Sequence, residues 1–117
     1  MAPVPLNHVA LTVADRERSA AFYGEHFGLT DRVHDDEHLL ILSSADGSLL
    51  ALSEGAPPAE LPRANHFGFQ LPDEKEVRAA RERLHAAGVP ETEWQEEGIV
   101  RVQVADPDGY RVELFAY

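Results

Sequence analysis

The sequence predicts an α+β fold made of two βαβββ modules, and three observations support this prediction. Residues 7–15 and 65–73 repeat one pattern, Asn-His followed by alternating residues and an Asp, at an offset of 58 residues. A helical pattern follows each repeat, and three short strand patterns follow each helix. Because a module of about 55 residues buries too little apolar surface to fold alone, we expect the two modules to form a curved mixed sheet around a cavity, with the helices on the other side.

The two repeated segments begin the modules as half-buried strands, since apolar and polar residues alternate along them. Each segment ends in an Asp, Asp15 or Asp73, whose carboxylate is expected to cap the first turn of a helix. Gly28 and Gly88 are expected to end these helices. The residues at helical spacing along the two helices are Ser19, Phe22, Tyr23 and Phe27, then Val77, Ala80, Leu84 and Ala87.

Three strands are expected after each helix, at 29–34, 38–43 and 48–53 and then at 90–95, 99–105 and 110–116. The turn before the last strand is marked by a Pro-Asp-Gly sequence, in which Pro presets φ and Gly accepts positive φ. Residues 55–63 are rich in Pro and lack periodicity, as linkers do. We therefore expect a single domain over 1–117, with module one at about 5–54 and module two at about 64–117.

Composition excludes several classes of function. The chain has 10 Lys and Arg against 21 Asp and Glu, a net charge of −11, which disfavours nucleic acid and anionic membrane surfaces as partners. It has no Cys, which excludes disulfides, thiolate metal sites and Cys nucleophiles. The N-terminus does not have the pattern of a signal peptide, and the apolar runs are too short to span a membrane. We expect a cytoplasmic protein that acts on a small molecule.

Strand alternation brings three metal-ligating residue types to one side of the predicted sheet. His8 and His66 lie on strand faces opposite the fully apolar faces that should pack against the helices. In the last strand, Glu113 and Phe115 lie on the same polar face as Arg111. Because an uncompensated buried carboxylate is costly, Glu113 must be solvated, paired or metal-bound.

Two readings of these residues remain open from spacing alone. Two histidines and one carboxylate suit a divalent metal with open coordination positions, such as Fe, Mn, Ni, Co or Zn. Alternatively, His8 and His66 are hydrogen-bonded structural histidines, and Glu113 pairs with Arg111 or Arg101. Arg101 itself is expected either to contact a substrate or to pair with Glu113.

The sequence resembles the vicinal oxygen chelate superfamily over essentially its whole length. The resemblance rests on residues 7–15, on the Phe-Tyr and Phe-Gly-Leu sequences at 22–23 and 27–29, and on the ending Asp-Pro-Asp-Gly-Tyr-Arg-Val-Glu-Leu at 106–114. It implies that His8, His66 and Glu113 are the metal ligands. Glyoxalase I of the usual type has a fourth ligand, a Glu, where this sequence has Ala51. A set of three protein ligands resembles instead the sites of the extradiol dioxygenases and the fosfomycin-resistance enzymes.

The resemblance implies a divalent-metal-dependent enzyme for a small oxygen-chelating substrate, of dioxygenase-like or lyase/transferase type. The substrate contacts are expected at Thr12, Arg101, Gln103 and Phe115, and no motif identifies a general acid or base. The alternative is a metal-free dimer that sequesters an antibiotic, as bleomycin-resistance proteins do, where a charge of −11 would attract a cationic drug. Relatives of this size are usually homodimers, with the site within one chain or shared between two.

Overall fold

The helices and strands of the computed structural model, which describes residues 1–117, follow the order βαβββ twice. The chain divides into two units, Met1–Pro57 and Pro58–Tyr117. The first unit consists of β1 (His8–Val13), α1 (Arg16–Phe27), β2 (Asp31–Asp35), β3 (Leu40–Ser43) and β4 (Leu49–Glu54). The second consists of β5 (Phe67–Gln70), α2 (Glu74–Ala86), β6 (Glu91–Gln95), β7 (Val100–Ala105) and β8 (Arg111–Ala116). The predicted α+β fold of two βαβββ modules is confirmed, and the strands form two four-stranded mixed sheets.

In the first unit the strand order is β1-β4-β3-β2, and only the β1–β4 pair is parallel. Leu11 and Val13 of β1 are buried on the face toward the helix, as the alternation predicts. The Asp15 carboxylate caps α1 by accepting from the backbone N–H groups of Glu17 and Arg18, both at 3.1 Å. This cap fixes where β1 ends and the helix begins.

In the second unit the order is β5-β8-β7-β6, with β5 parallel to β8. The helix α2 lies against β7 and β8 through its apolar stripe, in which Val77, Ala80 and Leu84 are buried. Because α2 covers one face of this sheet, the alternate residues of β7 and β8 point to the other face. That second face carries the candidate site.

Most boundaries of the elements differ from the predicted ones by one or two residues, and β5 ends at Gln70, three residues before the repeated segment ends at 73. Asp73 caps α2 by accepting from the N–H of Glu76 at 2.9 Å, and Gly28 ends α1 with a φ of 72°. Leu29 was expected to start a strand, but its N–H donates to the Tyr23 carbonyl at 3.2 Å and its side chain is buried. The strand β2 therefore starts later, because Leu29 closes the end of the helix. Neither helix has the length and apolar run that crossing a bilayer requires.

Candidate functional site

His66 and Glu113 come together on the face of the second sheet that α2 leaves uncovered. His66 immediately precedes β5, and Glu113 lies in the middle of β8, directly opposite Gly68 in the parallel β5–β8 register. The distance from His66 Nε2 to Glu113 Oε1 is 3.7 Å. The Glu113 side chain is only 10% exposed, so its carboxylate needs a partner close by.

The backbone fixes the orientation of the His66 ring. Its Nδ1 lies 2.8 Å from the carbonyl oxygen of Ala64, which can only accept a hydrogen bond, so Nδ1 carries the proton. In the neutral ring Nε2 then keeps its lone pair, on the side of Glu113. The loop that carries Ala64 is itself held, because the Asn65 N–H and the Arg111 guanidinium both donate to the Pro62 carbonyl, at 3.0 and 2.9 Å.

Arg101 of β7 joins Glu113 to a second carboxylate, that of Glu93 in β6. Arg101 Nη1 lies 2.8 Å from Glu113 Oε1 and 2.8 Å from Glu93 Oε2, and Arg101 Nε donates to Gln95 Oε1 at 3.1 Å. The hydrogen bond to Glu113, and then that to Glu93, raise the pKa of Arg101. The hydrogen bond from Arg101 also lowers the pKa of Glu93 below its usual value, so Glu93 is ionised at neutral pH.

A cavity of about 430 Å³ lies over these polar side chains. His66, Glu93, Arg101 and Glu113 line it, and the rest of its lining comes from the apolar side chains of Ala64, Ile99 and Phe115. The Phe115 ring also packs edge-on against Tyr117 at 5.9 Å between ring centroids. A concave site with apolar walls and a few convergent polar groups is the usual form of a small-molecule site.

Three further predicted site residues are Gln103, His8 and Thr12. Gln103 is 1% exposed and is not among the residues that line the cavity, and its Oε1 accepts from Thr92 Oγ1 at 2.9 Å. His8 and Thr12 lie on β1 of the first unit, where both are exposed, and His8 Nδ1 is 3.1 Å from Asn7 Oδ1. The second unit thus brings together His66, Glu113, Arg101 and Phe115. No group of three or more His, Cys, Asp and Glu side chains is gathered so that it could hold a metal ion.

The His66–Glu113 pair nevertheless has features that suit a divalent metal. The Nε2 lone pair and a carboxylate oxygen are both ligands such ions take, and Nε2 lies 3.7 Å from the Glu113 carboxylate at Oε1. Glu113 Oε2 receives no hydrogen bond within the unit, and it lies next to Gly68. A Cβ on Gly68 would stand 3.5 Å from Oε2 and 3.3 Å from the Glu113 carbonyl oxygen, so the glycine keeps this space open.

Two residues that share Arg101 with Glu113, Glu93 and Gln95, were not among the site residues predicted from the sequence. The Glu-Thr-Glu-Trp-Gln sequence of β6 places both on one face by alternation, which was a usable signal. What alternation does not show is the irregularity between Glu91 and Glu93, which brings Glu93 opposite Gln103 and Gln95 opposite Arg101.

Comparison with known proteins gives a family and a set of similar folds. The family model described as Glyoxalase/Bleomycin resistance protein/Dioxygenase superfamily matches residues 5–114. The catechol-2,3-dioxygenase of Bacillus subtilis (strain 168) is 28% identical over 116 residues, which cover 95% of this chain and 41% of that protein. The chain therefore spans about two fifths of the length of this curated relative.

Two solved structures share the fold over nearly the whole chain. The fosfomycin resistance protein FosX of Listeria monocytogenes is 24% identical, with a TM-score of 0.84 over 99% of this chain and 95% of that one. A further crystal structure of FosX is a complex with Mn(II) and a sulfate ion. A possible glyoxalase from Bacillus cereus is 26% identical, with a TM-score of 0.80 over 96% of this chain and 98% of that one.

Proposed function

The chain belongs to the Glyoxalase/Bleomycin resistance protein/Dioxygenase superfamily, and from this premise we propose that it is a divalent-metal-dependent enzyme acting on a small oxygen-chelating substrate. The observation that carries the proposal is the His66–Glu113 pair, 3.7 Å apart on the lining of a cavity of about 430 Å³. The similarity to a catechol dioxygenase and to a protein crystallised with Mn(II) supports it. The proposed reaction is of dioxygenase-like or lyase/transferase type.

We assign His66 and Glu113 as two metal ligands, and His8 as the third on the strength of the sequence resemblance. A bound Fe, Mn, Ni, Co or Zn ion would act as a Lewis acid on the chelating oxygens of the substrate, with open positions left for them. The chain prepares this site by holding the proton of His66 at Nδ1, away from the Nε2 donor atom.

Arg101 and Phe115 are the substrate contacts that the cavity favours. The Nη2 group of Arg101 makes no hydrogen bond within the unit, so it remains a donor for an anionic oxygen of the substrate. Phe115 and Ile99 provide apolar walls that would exclude water from the substrate's carbon frame. The Oε1 of Gln103 accepts a hydrogen bond from Thr92, so Gln103 and Thr12 stay predictions from the sequence.

A second candidate function, metal-free sequestration of an antibiotic, is favoured by one observation. The Arg101 guanidinium gives Glu113 a cationic partner at 2.8 Å, so the carboxylate is compensated without a metal. In that case the acidic chain would attract a cationic drug by long-range steering. For either function we propose a homodimer, which light scattering on the purified protein would establish.

Metal content separates the two candidates. Tag-free protein is purified anaerobically as wild type and as the variants His8→Ala, His66→Ala and Glu113→Ala, with Glu82→Ala on the exposed face of α2 as the control. The enzyme proposal expects stoichiometric metal in wild type and control, and its loss in the three ligand variants. Wild-type protein that stays metal-free after each ion is added back would overturn it, and a screen of cationic drugs would then follow.

A further inference from the structure

We propose that Glu93 is a positioning residue for metal binding: by sharing Arg101 with Glu113, it keeps the Glu113 carboxylate available to a divalent cation. This inference rests on the proposed function, and it adds a residue that neither the sequence motifs nor the family resemblance identifies. Its basis is the geometry of the Glu93–Arg101–Glu113 group within the second unit.

The guanidinium of Arg101 donates hydrogen bonds to three different side chains. Arg101 Nη1 has two hydrogens, and the two carboxylates take one each at 2.8 Å, while Nε is taken by Gln95 at 3.1 Å. Arginine and a carboxylate bind most strongly as a bidentate pair through two parallel N–H···O bonds. Here Glu113 receives one such bond, at Oε1 only. Glu93 and Gln95 hold Nη1 and Nε of the same guanidinium, and this fixes its orientation so that Nη2 makes no second bond to Glu113.

This hydrogen-bonding pattern leaves one oxygen of the Glu113 carboxylate open to a metal. Oε2 of Glu113 receives no hydrogen bond within the unit, and it lies beside the space that Gly68 keeps open. Without the carboxylate of Glu93, the guanidinium of Arg101 could rotate so that Nη1 and Nη2 each donate to one oxygen of Glu113. Oε2 would then be occupied by a hydrogen bond. A metal would then have to displace a bidentate ion pair, which is costly when the carboxylate is only 10% exposed.

The net charge of the Glu93–Arg101–Glu113 group also favours a cation. Two carboxylates and one guanidinium leave the group with one net negative charge, and a group of that sign attracts a divalent cation. Replacing Glu93 by Gln makes the group neutral. The loss of charge weakens metal binding whether or not Arg101 is present, whereas the tighter Arg101–Glu113 pair weakens it only when Arg101 is present. Both effects have the same sign, and the Arg101→Met background separates them.

Glu93 has one further cationic neighbour that must be separated from Arg101. Arg63 Nη2 lies 3.8 Å from Glu93 Oε1, but the Arg63 side chain is 83% exposed. An exposed pair at that distance contributes little. Arg63→Gln is therefore the matched control, because it removes the other partner of Glu93 and leaves Arg101 untouched.

The test is a calorimetric titration of the metal-free full chain with Mn(II), performed on wild type, Glu93→Gln, Arg63→Gln, Arg101→Met and the double variant Glu93→Gln/Arg101→Met. We expect Glu93→Gln to weaken Mn(II) binding about tenfold, the size of effect that groups orienting a metal ligand have. In the Arg101→Met background the same substitution should cost less than about threefold, since the shared guanidinium is gone. Arg63→Gln should bind as wild type does, and thermal unfolding should match across the single Gln variants.

The outcomes distinguish this inference from the function it rests on. Wild type that binds Mn(II) together with a Glu93→Gln variant of equal affinity overturns the role of Glu93 alone. An equal loss from Glu93→Gln with and without Arg101 also overturns it, because Glu93 would then act by its charge or by direct contact. Wild type that binds no Mn(II) overturns both proposals.

Discussion

The two units have the same fold, but the matching row of residues across their sheets differs in character. In the first unit Ala10, Ala51, Ile41 and His34 lie opposite one another on β1, β4, β3 and β2. In the second the corresponding row is Gly68, Glu113, Gln103 and Glu93 on β5, β8, β7 and β6. The backbone provides the same frame twice, and only the second row carries carboxylates and the space around them. Chemistry in this chain is therefore decided by a few side chains and not by the topology.

The two histidines differ in the same way. His66 donates from Nδ1 to the backbone carbonyl of Ala64. Two further hydrogen bonds, both to the Pro62 carbonyl, hold the loop that carries Ala64. His8 has only the side chain of its neighbour Asn7 within reach of Nδ1. A backbone acceptor fixes a ring more firmly than a side chain that can rotate. The second unit thus offers the better prepared donor.

The largest expected effect is on the free energy of unfolding, and it should distinguish the two arginines that each bridge two carboxylates. Arg101 in the second unit is 24% exposed, whereas Arg32 in the first unit, which bridges Glu17 and Asp35, is 40% exposed. Arg101→Met should lower the free energy of unfolding by about 2 kcal/mol, because it leaves the Glu113 carboxylate without its partner in a site only partly screened by water. Arg32→Met should have no measurable effect. Urea unfolding of both variants checks this, and equal losses would show that the difference in burial does not decide the cost of losing the arginine.

A smaller effect is expected at Gly68, the glycine of the second row that matches Ala10 in the first. Gly68→Ala would put a methyl group 3.5 Å from Glu113 Oε2 and 3.3 Å from the Glu113 carbonyl oxygen. We expect Mn(II) binding to weaken about fivefold, or about 1 kcal/mol. The matched control is Ala10→Gly, which makes the first row resemble the second and should leave Mn(II) affinity unchanged. Undiminished affinity in Gly68→Ala would mean that the space beside Glu113 is not used.

The smallest effect concerns pH and the turn between β2 and β3. Backbone N–H donation from His38, then the His34 side chain and the Leu39 N–H, lower the pKa of Asp36 to about 2. Because the folded pKa lies below the unfolded value of 3.8, this stabilisation is complete above about pH 4 and is lost as the pH falls toward 2. Wild type should lose stability over that range more steeply than Asp36→Asn. Urea midpoints measured between pH 5 and pH 2 test this, and parallel curves would contradict it.

Local patterns were sufficient to predict most of the frame. Asp15 and Asp73 cap the helices as predicted, because capping depends on residues two or three positions away. The placement of Glu113 and Arg101 on the face away from α2 also followed from a period of two along each strand. The role of Arg101 did not follow, since substrate contact and pairing with Glu113 were equally compatible with that placement.

By itself, then, the sequence determined the two βαβββ modules and the faces of their strands, because periodicity and caps act within a few residues. Only the tertiary structure decided which groups meet across strands: Arg101 pairs with both Glu113 and Glu93, and Gln103 accepts a hydrogen bond from Thr92. These meetings depend on strand order, on register and on the irregularity in β6, which no local pattern encodes. A buried carboxylate such as Glu113 pairs with the nearest cation, and the fold determines which one that is.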